Sequence, residues 1–173
     1  MKKFILSIII IITVVIINRN NIVIPDEAIR VRVIANSNSS PDQSLKKEVA
    51  YNVEDELYYL LKDVRNVELA RNLVKENMSK IDKRVSDTLL SKSNHTDYRI
   101  DYGYNYFPSK EYKGIKYKDG MYESLVVTLG EGKGENWWCV MFPPFCLIEA
   151  HDEGKTNIEY KFAVKELLNK YFD

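Results

Sequence analysis

The sequence has few of the residues that build metal centres and flexible chains. Among 173 residues there are two histidines and two cysteines, which leaves little material for a metal site. Seven glycines and five prolines exclude a collagen-like or linker-dominated chain. Neither positive nor negative charge is in excess, since 25 basic residues balance 25 acidic ones. This balance argues against a nucleic-acid binder. Apolar residues make up 45%, enough for one buried core and too many for a disordered chain.

The first 24 residues differ from the rest, with ten isoleucines, three basic residues and no acidic one. Lys2 and Lys3 precede a 14-residue apolar run from Phe4 to Ile17, which is the layout of a signal peptide. A helix of that length spans about 21 Å, less than the roughly 30 Å hydrocarbon core of a bilayer. We predict that residues 1–24 are a signal peptide or an N-terminal membrane anchor, with a buried core helix as the less favoured alternative.

The two lysines predict an N-terminus inside the cell and a body, residues 25–173, exported across the cytoplasmic membrane. This body has 22 basic and 25 acidic residues, a net charge of −3. No Ala-x-Ala motif follows the apolar run, so a secreted form and a form tethered by its N-terminus both stay open. The body has no internal repeat or composition break, and we predict a single domain.

The spacing of apolar residues predicts an α+β domain, an antiparallel-rich sheet packed against helices in the order β-α-α-β-β-β-α. Ile29 to Ile34 alternates apolar with basic residues, as in a strand with one buried face. Ser40 is the predicted N-cap of the first helix, with Pro41 at its first position and Gln43 completing a capping box. This helix is predicted to end near Lys62.

One further helix is predicted from Leu69 to Leu89, and three strands follow it. Tyr98 to Phe107 alternates tyrosine with mostly polar residues, which suits a half-exposed strand. Met121 to Leu129 and Trp137 to Phe142 are the other two predicted strands. A last helix is predicted from Ile158 to Tyr171.

Candidates for nucleophilic and phosphate chemistry lack the spacing that those reactions need. The glycine-rich stretch Gly130 to Gly134 leads into a strand rather than a helix, so we interpret it as a hairpin connection and not a phosphate loop. His95 and His151 have no local signature of a partner for a nucleophilic Cys139.

Acidic and metal-ligating candidates are also unspecific. Glu123 with Glu149 or Asp152 is one carboxylate pair among many in a chain with 25 acidic residues. Cys139, Cys146 and His151 are not spaced as metal ligands. We predict no catalytic residue, no metal, no cofactor and no small-molecule substrate.

The two cysteines, Cys139 and Cys146, predict a disulfide in an exported chain, with two reduced, buried thiols as the alternative. A bond between them closes an eight-residue loop, which stabilises the fold by roughly 2.5 kcal/mol in the chain-entropy treatment. The loop contains Phe142, Pro143, Pro144 and Phe145, and the prolines require the strand to stop or turn there.

Trp137 and Trp138 precede this loop, and neighbours on a strand face opposite sides. We therefore expect one tryptophan in the core and the other facing outward beside Phe142 and Phe145. Such an exposed apolar patch is typical of a partner contact. The open alternative is that both tryptophans are covered.

Two blocks of the sequence resemble motifs of the stage II sporulation protein R family. The first is Val33-Ile34-Ala35-Asn36-Ser37, followed by Asp42-Gln43 and a helix. The second, in order, is Phe107-Pro108, Lys110, Tyr112, Gly120, Tyr122-Glu123, Gly130, Gly132, Gly134, Asn136-Trp137-Trp138-Cys139-Val140, Phe142-Pro143-Pro144 and Cys146. Asn38 departs from the pattern, where the family is expected to have Asp.

The resemblance implies a signalling protein rather than an enzyme. A member of this family is exported from the forespore into the space between the forespore and mother-cell membranes. There it triggers a membrane-embedded aspartic-type protease to cleave the inactive precursor of a mother-cell sigma factor. The alternative hypothesis is an exported cell-envelope hydrolase that uses a carboxylate pair.

For the signalling hypothesis we predict two groups of partner-binding residues. The first group is Trp137, Trp138, Phe142, Pro143, Pro144 and Phe145, next to the disulfide of Cys139 and Cys146. The second group is Asn36, Ser37 and Asn38. The partners expected are the protease and, through the N-terminal segment, the cytoplasmic membrane.

Overall fold

A computed structural model describes residues 24–112, 115–145 and 157–172. The predicted export segment lies outside these residues, apart from Ile24, and so does Cys146. The elements in sequence order are β1 (Ile29–Ile34), α1 (Ser40–Leu61), α2 (Val67–Glu76), α3 (Met78–Ser91), β2 (Tyr98–Phe107), β3 (Lys110–Tyr112), β4 (Ile115–Tyr117), β5 (Gly120–Leu129), β6 (Asn136–Phe142) and α4 (Asn157–Phe172).

The predicted α+β class is confirmed, and four of the strands form one mixed sheet in the order β2-β5-β1-β6. β1 runs parallel to β5 and antiparallel to β6, and β2 runs antiparallel to β5. Val31 of β1 therefore lies between Leu125 of β5 and Cys139 of β6. β3 and β4 form a separate two-stranded hairpin that the sequence pattern did not predict.

Helices α1 to α3 pack with one face of the sheet in the main core. α1 presents a buried residue about every fourth position, which places one apolar stripe against the sheet. The stripe consists of Leu45, Val49, Val53, Leu57 and Leu61. The strands present alternate residues to it, and these are Val31, Val33, Leu125, Val127 and Leu129. Among the described residues no helix is both long enough and apolar enough to span a bilayer.

A second, smaller cluster includes residues of β4, β6 and α4. Its buried members are Ile24, Ala28, Ile115, Val140, Phe145 and Val164. Val140 alternates along β6 with Cys139 and Met141 of the main core, so this cluster lies on the opposite side of the sheet. Ile24, at the end of the predicted export segment, is 5% exposed within it.

The single helix predicted from Leu69 to Leu89 is wrong, because the chain forms α2 and α3 with a break at Asn77. The side-chain amide of Asn77 donates to the carbonyl of Leu73 at 2.8 Å. Its backbone N–H donates to the carbonyls of Leu73 and Val74, which closes α2. Local competition of an asparagine side chain for backbone groups is what ends the helix.

The N-cap of α1 is Ser39 rather than the predicted Ser40. Ser39 is extended, with φ −62° and ψ 148°, and its hydroxyl oxygen accepts from the backbone N–H of Asp42 at 3.3 Å. The predicted capping-box residue Gln43 donates its side-chain amide to the carbonyl of Ser37 at 2.9 Å. The Gln43 side chain therefore binds the polar turn before the helix, instead of the backbone N–H of the N-cap that a capping box requires.

The segment of residues 130–135 is not the hairpin connection that the sequence suggested. β5 and β6, which it joins, are separated in the sheet by β1. The segment crosses the end of β1, where the N–H of Gly134 donates to the carbonyl of Ala35 at 2.9 Å and that of Lys133 to the carbonyl of Asn36. We call residues 130–135 the crossover loop.

Candidate functional site

Asn36, Ser37 and Asn38 form a polar turn whose side chains bind other parts of this protein. The Asn36 oxygen Oδ1 accepts from the backbone N–H of Glu131 at 3.0 Å, while its amide donates to Asp42 at 3.0 Å. The Ser37 hydroxyl also donates to Asp42, at 2.6 Å. These two donors lower the pKa of Asp42, with Ser37 the larger cause. The turn thus fixes the crossover loop to the start of α1.

The departure at Asn38 fits this arrangement. Its side-chain oxygen accepts from the backbone N–H of Glu135 at 2.7 Å and from the amide of Gln43 at 3.3 Å. Both bonds need an acceptor oxygen, which Asn and Asp share. Contact of this turn with a partner stays a prediction.

Two glycines let the crossover loop approach the turn closely. Gly130 has φ +52°, and a Cβ there would lie 2.3 Å from the side-chain oxygen of Asn36. A Cβ on Gly134 would lie 2.3 Å from the carbonyl oxygen of Ser37. Glycine is required at both positions because any side chain would push the loop off the turn.

Trp137 and Trp138 are both half-buried, on opposite sides of β6. Trp137 packs against the main core. Trp138 lies edge-on to Phe107, with ring centroids 5.0 Å apart, and the guanidinium of Arg32 is 5.1 Å from its ring centre. The expected division into one core and one outward tryptophan is therefore partial, since each ring has a covered and an exposed part.

The expectation that Phe142 and Phe145 form an exposed patch is wrong. Both are 0% exposed, and Pro143 and Pro144 between them are also buried. Phe142 belongs to the main core and Phe145 to the second cluster, so this turn joins the two. The Phe142–Pro143 peptide bond is cis. These four residues therefore determine the shape of the turn, and the exposed surface of the first group comes from the two half-buried tryptophans. Contact of these tryptophans with a partner stays a prediction.

Cys139 is 7% exposed and is disulfide-bonded. The other cysteine of the sequence, Cys146, lies outside the described residues. That Cys139 pairs with Cys146 therefore stays a prediction.

A cavity of about 340 Å³ lies where β6 meets the segment that follows β2. Its walls bring together residues from distant parts of the sequence, and none of the described residues that line it is acidic. They are Arg30, Phe107, Pro108, Ser109, Lys110, Tyr117, Asn136, Trp137, Trp138, Cys139 and Val140. We call this the tryptophan cavity. Its size is in the range of small ligand pockets.

Arg30 is a charged group in the wall of the tryptophan cavity, and it is 3% exposed. Its guanidinium carbon lies 3.3 Å from the ring centre of Tyr122 and 5.3 Å from that of Phe107. Burial lowers the pKa of Arg30, and the carboxylate of Asp26 is the weakest of the groups that oppose this shift.

No carboxylate among the described residues forms an ion pair with Arg30. Its Nε is buried and has no hydrogen-bond partner in the part of the chain that the structure describes. The alternating pattern of β1 predicted one buried face, yet Arg30 on the other face is buried too.

Glu123, the described member of the unspecific carboxylate pairs that the sequence offered, is bound to other residues. It is 6% exposed, and the Nε of Arg71 donates to both of its carboxylate oxygens at 2.8 Å. The Tyr102 hydroxyl donates to it at 2.9 Å. Burial opposes ionisation, but these bonds outweigh it and hold the pKa of Glu123 below its ordinary value. A general acid needs a raised pKa, so Glu123 is unsuited to that one role in glycoside hydrolysis.

The described residues contain no cluster of three or more His, Cys, Asp or Glu that could hold a metal ion. Glu149, His151 and Asp152, which the sequence analysis considered for metal or acid chemistry, lie outside the described residues.

Comparison with known proteins identifies the family. A sequence profile described as Stage II sporulation protein R matches residues 25–152. The chain is 35% identical over 153 residues to the Stage II sporulation protein R of Bacillus subtilis (strain 168), covering 88% of this chain and 68% of that protein. The chain belongs to the stage II sporulation protein R family. No solved structure matches it.

The match to the stage II sporulation protein R family includes every residue that lines the tryptophan cavity. Sequence reasoning singled out Trp137 and Trp138 as partner-binding residues and quoted Phe107, Pro108 and Lys110 as part of the family motif. It missed that these residues share a cavity with the arginine at position 30. No local sequence signal marked Arg30, because the position of β1 between β5 and β6 emerges only from the assembled sheet.

Proposed function

We propose that this protein is the exported signal that activates a membrane-embedded aspartic-type protease, which then processes the inactive precursor of a sigma factor in the mother cell. The observation that carries the proposal is membership of the stage II sporulation protein R family over residues 25–152. The signal acts from the space between the forespore and mother-cell membranes, after export directed by residues 1–24.

The arrangement of the site supports a binding role rather than catalysis. The tryptophan cavity offers two half-buried tryptophans and two cations, Arg30 and Lys110, with no acidic residue among the described walls. Buried aromatic and arginine anchors dominate the binding energy of protein interfaces. We propose that the disulfide of Cys139 and Cys146 and the buried turn after β6 fix the shape of β6 for this contact.

Reconstitution tests the proposal. The full-length protein is produced in cells that contain the protease and the sigma-factor precursor, and precursor cleavage is scored on immunoblots. We expect cleavage that depends on this protein and is lost with Trp138→Ala, because this removes an interface anchor. The matched control is Tyr59→Ala, which truncates an aromatic that is 63% exposed on α1.

The control variant and the wild-type protein test different parts of the proposal in this assay. Tyr59→Ala retains cleavage if the loss with Trp138→Ala reflects the site and not any lost aromatic. An exported and folded wild-type protein that yields no cleavage contradicts the proposed function.

A further inference from the structure

Arg30 is a buried cation that forms no ion pair with any described carboxylate. Moving a charge out of water costs several kcal/mol unless ion pairs and hydrogen bonds replace the lost water. Around Arg30 the aromatic faces of Tyr122, Phe107 and Tyr117 replace part of the lost hydration. Their ring centres lie 3.3 to 6.0 Å from the guanidinium carbon. Its Nε lies buried without a hydrogen-bond partner among the described residues.

The cavity beside Arg30 matches a negatively charged ligand. Arg30 and Lys110 are the ionisable cations among its described walls, which include no acidic residue. Arg30 is held against Tyr122, and a planar guanidinium fixed in this way presents a fork that fits a carboxylate in bidentate fashion. Ser109 and Asn136 in the same walls add neutral hydrogen-bonding groups.

The other walls of the cavity favour a peptide as the carrier of that carboxylate. Five consecutive residues, 136–140 of β6, line it, and β6 is one of the two edge strands of the four-stranded sheet among the described elements. An extended segment lying along an edge strand is a common mode of peptide recognition. The aromatic and proline walls suit apolar side chains on either side of the charged group.

We propose that the tryptophan cavity binds a carboxylate group of a partner polypeptide, with Arg30 as the residue that pairs with it. The carboxylate belongs to an Asp or Glu side chain or to the C-terminus of the partner, since both present the same group. This site rests on the proposed function and names the chemical group that it recognises, and peptide binding is measured without the protease, so that the two can fail separately.

The test uses the two tryptophans of the protein, Trp137 and Trp138, as reporters, since both line the cavity. The full-length protein in detergent is titrated with three Leu-rich pentapeptides while tryptophan fluorescence is recorded. One has a central Glu and an amidated end, one a central Gln and a free C-terminus, and one a central Gln and an amidated end. We expect a saturable change with one or both of the first two and none with the third.

Variants assign the binding to Arg30. Arg30→Met is expected to weaken peptide binding by about tenfold or more, because it removes the charged partner of the carboxylate. Arg30→Lys is expected to weaken it less, since the charge remains without the fork. The matched control is Arg99→Met, which removes an exposed arginine from β2 and leaves binding unchanged. Urea unfolding shows that each variant is folded.

Several outcomes overturn the proposal. Equal binding of all three peptides removes the role of the carboxylate, and unchanged binding in a folded Arg30→Met variant removes the role of Arg30. Saturation by mixed micelles of anionic phospholipid and the same detergent, but by none of the peptides, assigns the site to a membrane. Peptide binding that appears only in the Glu149→Gln, Asp152→Asn, Glu153→Gln variant assigns the cavity to an acidic segment of the protein itself.

Discussion

Two buried charges lie close together in the sheet and have opposite surroundings. Glu123 of β5 and Arg30 of β1 are close because Arg30 pairs in register with Ser124, but their side chains extend from opposite faces. Glu123 is bound by Arg71 and Tyr102. Arg30 is stacked on aromatic rings and is ion-paired with no described carboxylate. The difference separates a charge that other described residues pair with from a charge that, as we propose, pairs with a ligand.

The two faces of the four-stranded sheet have different roles. The Glu123 side contributes to stability, because its ion pair with Arg71 joins α2 to the sheet. The Arg30 side contributes a binding group, and the surrounding aromatic rings lower the cost of keeping that group buried. Functional residues often have such locally unfavourable arrangements, whose cost other parts of the fold offset.

The largest expected effect comes from breaking the satisfied charge. Arg71→Ala leaves Glu123 buried without its cation, and we expect the free energy of unfolding to fall by about 3 kcal/mol. Arg84→Ala is the matched control, since Arg84 forms exposed pairs with Asp55 and Glu56 at 3.4 Å. Its loss is expected to cost about 1 kcal/mol or less. Urea unfolding of both variants measures this difference, and equal losses would contradict the distinction.

A smaller loss of folding stability is expected when the pH is lowered. The pKa of Glu123 is below its ordinary value in the fold, so the unfolded chain binds more protons as the pH falls. The stability from ionised Glu123 is fully present above its ordinary pKa and is lost as pH falls through the folded pKa. Wild type is expected to lose more stability than Glu123→Gln from about pH 6 to about pH 3.

Asp42 contributes to the same acid loss, because Ser37 and Asn36 lower its pKa too. The measured quantity is therefore the difference in the urea midpoint between wild type and Glu123→Gln at each pH. Parallel curves for the two proteins would show that Glu123 is not held ionised by the fold. Arg30 is charged throughout this range and adds no slope.

The sequence predicted those parts of the fold that depend on neighbouring residues. The strand at Ile29–Ile34 and the end of α1 at Leu61 follow from apolar spacing alone. The break at Asn77 was missed because periodicity continues across it, while the amide of one residue closes the helix. The place of β1 between β5 and β6 depends on pairings between residues about 100 positions apart, which local patterns do not encode.

The candidate site was predicted in part for the same reason. Trp137 and Trp138 were singled out because their rarity and their motif mark them in the sequence, and the structure places both in the wall of the tryptophan cavity. The burial of Phe142 and Phe145 was missed, since the alternation of a strand does not show what covers its ends. The role of Arg30 depends on aromatic neighbours and a cavity wall that are assembled only after the chain has folded.

The most direct test of the account is precursor cleavage by two variants, Arg30→Met and Glu123→Gln, assayed at a temperature where urea unfolding shows both to be folded. The account predicts that Arg30→Met abolishes cleavage although the protein is folded, whereas Glu123→Gln retains it despite lower stability. Full cleavage by folded Arg30→Met would contradict the claim that this buried arginine, which is ion-paired with no described carboxylate, serves binding.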